Sequence, residues 1–229
     1  MVSGLFAQVR RVVKGVSDMV DSASLVYPRH VQIRHLRPSD YRVMPWKNGL
    51  GTTTEIAVDP PGAGLDDFSW RLSIADLAAS GPFSTFPGIE RIILQTEGEP
   101  MELVHEERCR RRLALLSPYR FDGAWPTHGE LGGTPARDFN VMARRARLRP
   151  SAGVHSLARG SRIRLCLAAE TQIVHAFRGR VAIRIDGSDT ATDLLGSETL
   201  IVEGQVEIEV AADVEEAVVF VVALEGSRP

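Results

Sequence analysis

The sequence predicts an all-β protein, built as jelly-roll barrels or as a sandwich. From residue 30 onward short apolar runs alternate with turn residues, and within each run the apolar positions repeat every second residue. The runs fall into two successive sets with almost no helical pattern.

Residues 1–29 stand apart. Leu5, Phe6, Val9, Val12, Val13, Val16, Met19 and Val20 recur at helical spacing, with Arg10, Arg11, Lys14, Ser17 and Asp18 between them. An extension that is helical or poorly ordered, without a cleavable leader pattern, is expected there. Val31, Ile33 and Leu36 open the strands, and another covers residues 52–58 before the turn cluster PPGAG at 60–64. Residues 68–74 alternate, with Trp70, Leu72 and Ile74 on one face and Arg71 and Ser73 on the other. Residues 76–79 read as one helical turn ended by Gly81 and Pro82. Strands at 90–96, 113–117 and 139–143 complete the first set.

In the second set Ile163, Leu165 and Leu167 alternate with Arg164 and Cys166, and Val181, Ile183 and Ile185 with Ala182 and Arg184. Val206, Ile208 and Val210 alternate with Glu207 and Glu209, whereas residues 217–224 are continuously apolar and should be buried on both faces. Pro150, Gly153 and Gly160 place an approximate boundary between two domains, 30–147 and 148–229, with the sharing of strands between them left open.

The 229 residues carry a formal charge of −2 and a pI near 6.3, so no global attraction to nucleic acid or to an acidic membrane is expected. No apolar run approaches the roughly 20 residues of a membrane helix. Cys109 and Cys166 lie far apart, which fits a reducing cytoplasm better than a disulfide scaffold. His30, His35, His105, His128, His155 and His175 show no metal-ligand spacing, so neither metal nor cofactor is expected. No phosphate loop or nucleophile elbow is visible. Exposed sheet edges make a homodimer plausible.

The richest chemistry lies in residues 44–55, MPWKNGLGTTTE. Lys47 is one of only two lysines in a chain whose other basic residues are all arginine. Around it Trp46 offers an apolar wall with one donor, Asn48 a two-way amide, Gly49 and Gly51 close backbone approach, and Thr52 to Thr54 hydroxyls. That combination suits a small polar ligand, and Asn-Gly also suits a hairpin turn. Strand parity adds Arg71 and Ser73 on one face, and Asp138, Asn140 and Met142 on another. Arg71 facing Glu55 or Asp138 inside a barrel would mark either a binding site or a structural ion pair. Phe86, in the rigid segment GPFSTFPG at 81–88, and Arg91 just beyond it could line a cavity mouth and meet a carboxylate.

Four ordered motifs, PWKNG-x-G-x-T at 45–53, FSWRLSIADL at 68–77, GPFSTFPGIER at 81–91 and FDGAWPT with ARDFNVMARR at 121–145, resemble the HutD/Ves family. The resemblance implies a two-barrel, cupin-like (bicupin) fold without the usual metal ligands and a link to histidine utilisation. It singles out Trp46, Lys47, Asn48, Gly49, Arg71, Ser73, Phe83, Ser84, Phe86, Arg91, Asp138 and Asn140. One departure is Leu50, where the family usually has a third glycine; a positive φ there would strain it.

The leading expectation is a non-enzymatic sensor or buffer of a small carboxylate such as urocanate or N-formylglutamate. Lys47 with Arg71 or Arg91 would hold the carboxylate, Asn48, Thr52 and neighbouring hydroxyls would orient it, and Trp46 and Phe86 would cover it. The alternatives are an enzyme with Lys47 or Glu55 as acid or base, and a protein working through its surface.

Overall fold

The computed structural model describes residues 31–46, 49–165, 169–186 and 190–227. The expected N-terminal helix, Lys47 and Asn48 lie outside them. The first part of the chain contributes β1 (Gln32–Leu36), β2 (Arg42–Pro45), β3 (Gly51–Asp59), β4 (Trp70–Leu77), β5 (Gly81–Phe83), β6 (Ile89–Glu97), β7 (Glu102–His105), β8 (Cys109–Arg112), β9 (Tyr119–Asp122), β10 (Thr127–Glu130) and β11 (Ala136–Arg144). The second contributes β12 (Leu148–Ala158), β13 (Arg162–Leu165), β14 (Thr171–Arg178), β15 (Arg180–Ile185), β16 (Ala191–Leu195), β17 (Thr199–Glu203), β18 (Ile208–Ala212) and β19 (Glu216–Gly226). Among the described residues the helical content is one 3-10 turn, Pro38–Asp40, and no helix is long and apolar enough to cross a membrane.

The strands form four antiparallel sheets. Sheet I has the order β2-β3-β4-β11-β6-β9, sheet II β5-β10-β7-β8, sheet III β1-β17-β14-β19-β12 and sheet IV β13-β18-β15-β16. Sheets I and II face each other over Ala75, Leu77, Ile93, Met101, Leu103, Leu113 and Phe121. Sheets III and IV close over Val174, Val181, Ile183, Leu200, Val210 and Val219, an interior of aliphatic side chains. Between the two barrels the outer faces of sheets I and III meet, with Trp70, Leu72, Phe139 and Val141 against Ile173, Ile201, Phe220 and Val222.

Period two explains the arrangement. In β4, Trp70 and Leu72 turn outward to the inter-barrel core, so Arg71 and Ser73 must turn into the first barrel. Residues 217–224 of β19 are all buried, because Val219 and Val221 fill the second barrel while Phe220, Val222 and Leu224 fill the layer between barrels.

Two expectations are corrected. Residues 76 and 77 belong to β4 rather than to a helical turn, because Asp76 and Leu77 pair with Arg137 and Ala136 of β11 on one side and with Thr52 and Gly51 of β3 on the other. Two flanking ladders outweigh the weak helical preference of Ala-Asp-Leu. Residues 113–117 form a turn, with the Leu113 amide donating to the Met101 carbonyl and Leu116 at φ 57° donating to the Gln95 carbonyl. One strand is shared between the sets: β1, which opens the first, pairs along its length with β17 of sheet III.

Candidate ligand-binding site

The interior of the first barrel opens into a cavity of about 660 Å³. Its floor is polar: Arg71 and Ser73 come from β4, Arg91 from β6, and Asp138 and Asn140 from β11. Each is at most 6% exposed. Burying that many charged and polar groups is costly unless they satisfy one another or a ligand.

They do so in two clusters. The Arg71 Nε–H donates to Glu55 Oε2 at 2.6 Å, and Nη1 lies 3.5 Å from Ser73 Oγ. Glu55 is thus committed to a charge-assisted bond. In the second cluster the Arg91 Nη2–H donates to Asn140 Oδ1 at 2.8 Å, and the Asn140 amide donates to Asp138 Oδ1. The Arg91 guanidinium lies 5.4, 5.9 and 5.0 Å from the ring centres of Phe83, Phe86 and Phe121, where ring quadrupoles favour a cation. Two buried atoms of this cluster, Arg91 Nε and Asp138 Oδ2, have no hydrogen-bond partner.

Burial dominates the electrostatics. It pulls the Arg91 pKa down to about 10, with the Asp138 charge resisting and Arg71 adding to the fall. It pushes Asp138 up to about 7, against the pull of Arg91 and the Asn140 amide. Arg91 therefore stays charged at neutral pH while Asp138 is divided between its two forms. The floor, counting Arg71, Arg91, Glu55 and Asp138, carries a net charge between zero and plus one.

The walls are largely apolar. Trp46, whose indole N–H donates to Thr53 Oγ1 at 2.7 Å, stands with Met44, Phe83, Phe86 and Met142, while Arg42 and the exposed Leu65 lie at the mouth. Trp46, Glu55, Arg71, Ser73, Phe86, Arg91, Asp138 and Asn140 thus line one cavity. Thr52 does not: its neighbour Thr53 takes the inward position, and Thr52 Oγ1 points instead to Asp76 Oδ2 at 3.5 Å. Gly49 lies beside Thr52 along a shallower depression. The sequence reading also omitted Arg42, Met44 and the loop carrying Ala63, Gly64 and Leu65 from the site. Arg42 and Met44 were accessible through parity, since they pair with Glu55 and Thr53 across the β2–β3 hairpin.

The turn itself is relaxed at Leu50, because the positive φ falls on Gly49, at 70°. Gly51 meets a different demand. A Cβ there would sit 2.3 Å from the Asp76 carbonyl oxygen and 3.1 Å from the Trp46 ring. Gly51→Ala should therefore lower stability by about 2 kcal/mol or more, and Gly49→Ala, which meets open space but keeps the positive φ, by about 1 kcal/mol. Urea unfolding of the two variants checks the order.

Among the described residues, no group of three or more His, Cys, Asp or Glu side chains is placed to hold a metal ion. His105, across the barrel, has its own partners. Thr127 Oγ1 donates to the Trp125 carbonyl and so accepts from His105 Nδ1 at 2.8 Å, leaving His105 Nε2 to accept from Tyr119 at 3.2 Å. That pattern requires the neutral ring, in keeping with a pKa lowered by burial and by the charges of Arg91 and Arg108.

Comparison with known proteins agrees with this architecture. A 21.2 kDa protein encoded in the hutC 3′ region of Pseudomonas putida is 38% identical over 179 residues, 73% of this chain and 92% of that one. A conserved protein of unknown function from Pseudomonas aeruginosa PAO1 superposes with a TM-score of 0.76 at 34% identity, covering 85% of this chain and 99% of that one. HutD from Pseudomonas fluorescens SBW25 gives a TM-score of 0.68 at 32% identity, covering 86% and 100%. At the level of fold alone, a cupin 2 conserved barrel protein from Leptotrichia buccalis matches at 10% identity and a TM-score of 0.50, covering 76% of this chain and 88% of that one. With residues 38–220 matching the HutD family as well, the chain belongs to that family, and its fold is cupin-like.

Proposed function

We propose that the protein is a non-enzymatic binder that senses or buffers a small carboxylate intermediate of histidine utilisation, with urocanate and N-formylglutamate as the two leading ligands. The observation that carries this reading is the pair of buried guanidiniums on the cavity floor. Arg71 is bonded directly to a carboxylate, whereas Arg91, the second guanidinium lining the cavity, rests on a neutral amide and, at 3.5 Å, on the Ser84 carbonyl. Such a guanidinium, without a directly bonded carboxylate and fixed among aromatic rings, suits a planar carboxylate. The apolar walls supported by Trp46, Phe86 and Met142 suit a short carbon chain or flat ring. Acid–base chemistry by Glu55 is disfavoured by its 2.6 Å bond to Arg71. The proposed setting is the reducing cytoplasm, which two cysteines far apart in sequence would suit.

Thermal unfolding against urocanate, N-formylglutamate, formiminoglutamate, histidine and glutamate tests the proposal. A ligand at a hundred times its Kd adds roughly 2.7 kcal/mol, raising the midpoint of a chain this size by about 5–10 °C. A shift of that size is expected with urocanate or N-formylglutamate, and to be diminished in Lys47→Ala. A midpoint unmoved by all five compounds would overturn the reading.

A further inference from the structure

Asp138 is fully buried on β11, on the floor of a cavity whose other charged floor groups make it cationic. Its Oδ1 accepts from the Asn140 amide, its Oδ2 has neither a partner nor accessible surface, and Asn140 links it to Arg91. A ligand therefore does not touch the free oxygen, and Asp138 acts on it through charge. We propose that the cavity takes up its anionic ligand together with one proton, which Asp138 holds beneath the floor. The inference rests on the carboxylate-binding reading of the same cavity.

The groups around Asp138 leave it as the proton acceptor. On β6, Gln95 lies directly opposite and is fully engaged, its amide N–H groups on the Glu97 and Glu99 carbonyls and its oxygen on the Met101 amide. Arg91, on the same strand, supplies the nearest positive charge. On β4, Ala75 is the register partner, Arg71 and Ser73 share the floor, and Asp76 adds a repulsive negative charge. On β3, Glu55 is bonded to Arg71, and across the barrel His105 is held neutral. An arriving carboxylate adds a second negative charge beside a carboxyl already poised near neutrality. It therefore raises the proton affinity of Asp138 further, and the linkage is reciprocal: protonated Asp138 favours the anion. Bound anion plus one proton leaves the floor close to neutral.

Isothermal titration calorimetry with N-formylglutamate and with formate, in buffers of different ionisation heats between pH 6 and pH 9, tests this directly. Both probes stay ionised throughout that range, so proton uptake reports on the protein. Uptake is expected to be small at pH 6, where Asp138 is already protonated, and to rise toward one proton per ligand near pH 8. Affinity should fall by up to tenfold per pH unit above neutrality. Asp138→Asn should lose both the uptake and the pH dependence, whereas His105→Gln should keep them. Binding without uptake, or uptake unchanged in Asp138→Asn, would overturn the inference and leave the binding reading standing. Absence of binding by both probes would overturn the inference and, where urocanate also leaves the thermal midpoint unmoved, the reading it rests on. The wild-type uptake is decisive even if a variant fails to fold.

Discussion

Arg91→Met is expected to weaken carboxylate binding by about a hundredfold or more and to remove the ligand-induced thermal shift, while the protein stays folded. The magnitude follows from losing a desolvated, charge-assisted donor to a ligand carboxylate, worth roughly 3 kcal/mol or more in a buried site. Folding should survive because the unbranched methionine can lie among Phe83, Phe86 and Phe121, where the guanidinium now sits, and sulfur–ring contacts replace part of the cation–ring attraction. Asp138, deprived of its main positive neighbour, should then remain protonated well above neutrality. Arg91→Lys should not rescue binding fully, since a point ammonium cannot hold Asn140 and a planar carboxylate at once. Titration calorimetry of both variants checks these outcomes; wild-type affinity in Arg91→Met would remove Arg91 from the site.

The second large effect is a pair of opposed pH dependences. Asp138, raised by burial from its ordinary 3.8 to about 7, is protonated in the folded protein over a range where the unfolded chain has already released that proton. Its contribution to stability is full below pH 3.8 and is lost as pH rises to 7. His175 behaves in the opposite sense. Burial lowers it from 6.5 to about 3, so its contribution is present above pH 6.5 and is lost as pH falls toward 3. Burial keeps its ring neutral, and the hydrogen bonds place the proton on Nδ1, since Tyr41 donates to the Ser197 carbonyl, Thr199 donates to Tyr41, and Thr199 Oγ1 accepts from His175 Nδ1 at 2.8 Å. Each shift corresponds to on the order of 4 kcal/mol at full extent. The two windows nearly coincide, so in the wild type they offset each other between about pH 4 and 6.5. Asp138→Asn should expose the histidine slope and lose stability on acidification, and should be more stable than wild type at pH 8. His175→Asn, whatever its uniform cost, should gain stability relative to wild type as pH falls. Denaturant midpoints from pH 4.5 to 8 measure this; parallel profiles for all three proteins would refute it.

Much of the site was legible in strand parity. Trp70 and Leu72 are too apolar to face a polar cavity, so Arg71 and Ser73 had to, and the same reasoning placed Asp138 and Asn140 opposite Phe139 and Val141. Parity failed where the ladder is irregular. In β3 the register shifts between Glu55 and Ala57, so Ile56 and Ala57 both join the inter-barrel core. Period two therefore cannot be carried through that strand, and the hydroxyl run around Thr52 gave no sign of which threonine turns inward. The pairing of β1 with β17 was likewise hidden, because the partner of a short strand is decided by distant packing rather than by its own residues. The contribution of Leu65 comes from a loop that folds over the mouth, which no periodicity reports.

The strands that bear Arg71, Arg91 and Asp138 are clamped on their reverse side by the layer between the two barrels, through Trp70, Ile92 and Phe139. The rim, in contrast, is drawn from the 63–65 loop, the hairpin at Trp46 and the segment around Ser84 and Phe86. Recognition is thereby split between two structural economies: an anchor for negative charge that cannot shift without disturbing the join between barrels, and a replaceable collar that sees the rest of the molecule. Redesign for a carboxylate of another size or shape should start at the collar, where sequence can change while the anchor and its proton inventory stay as they are.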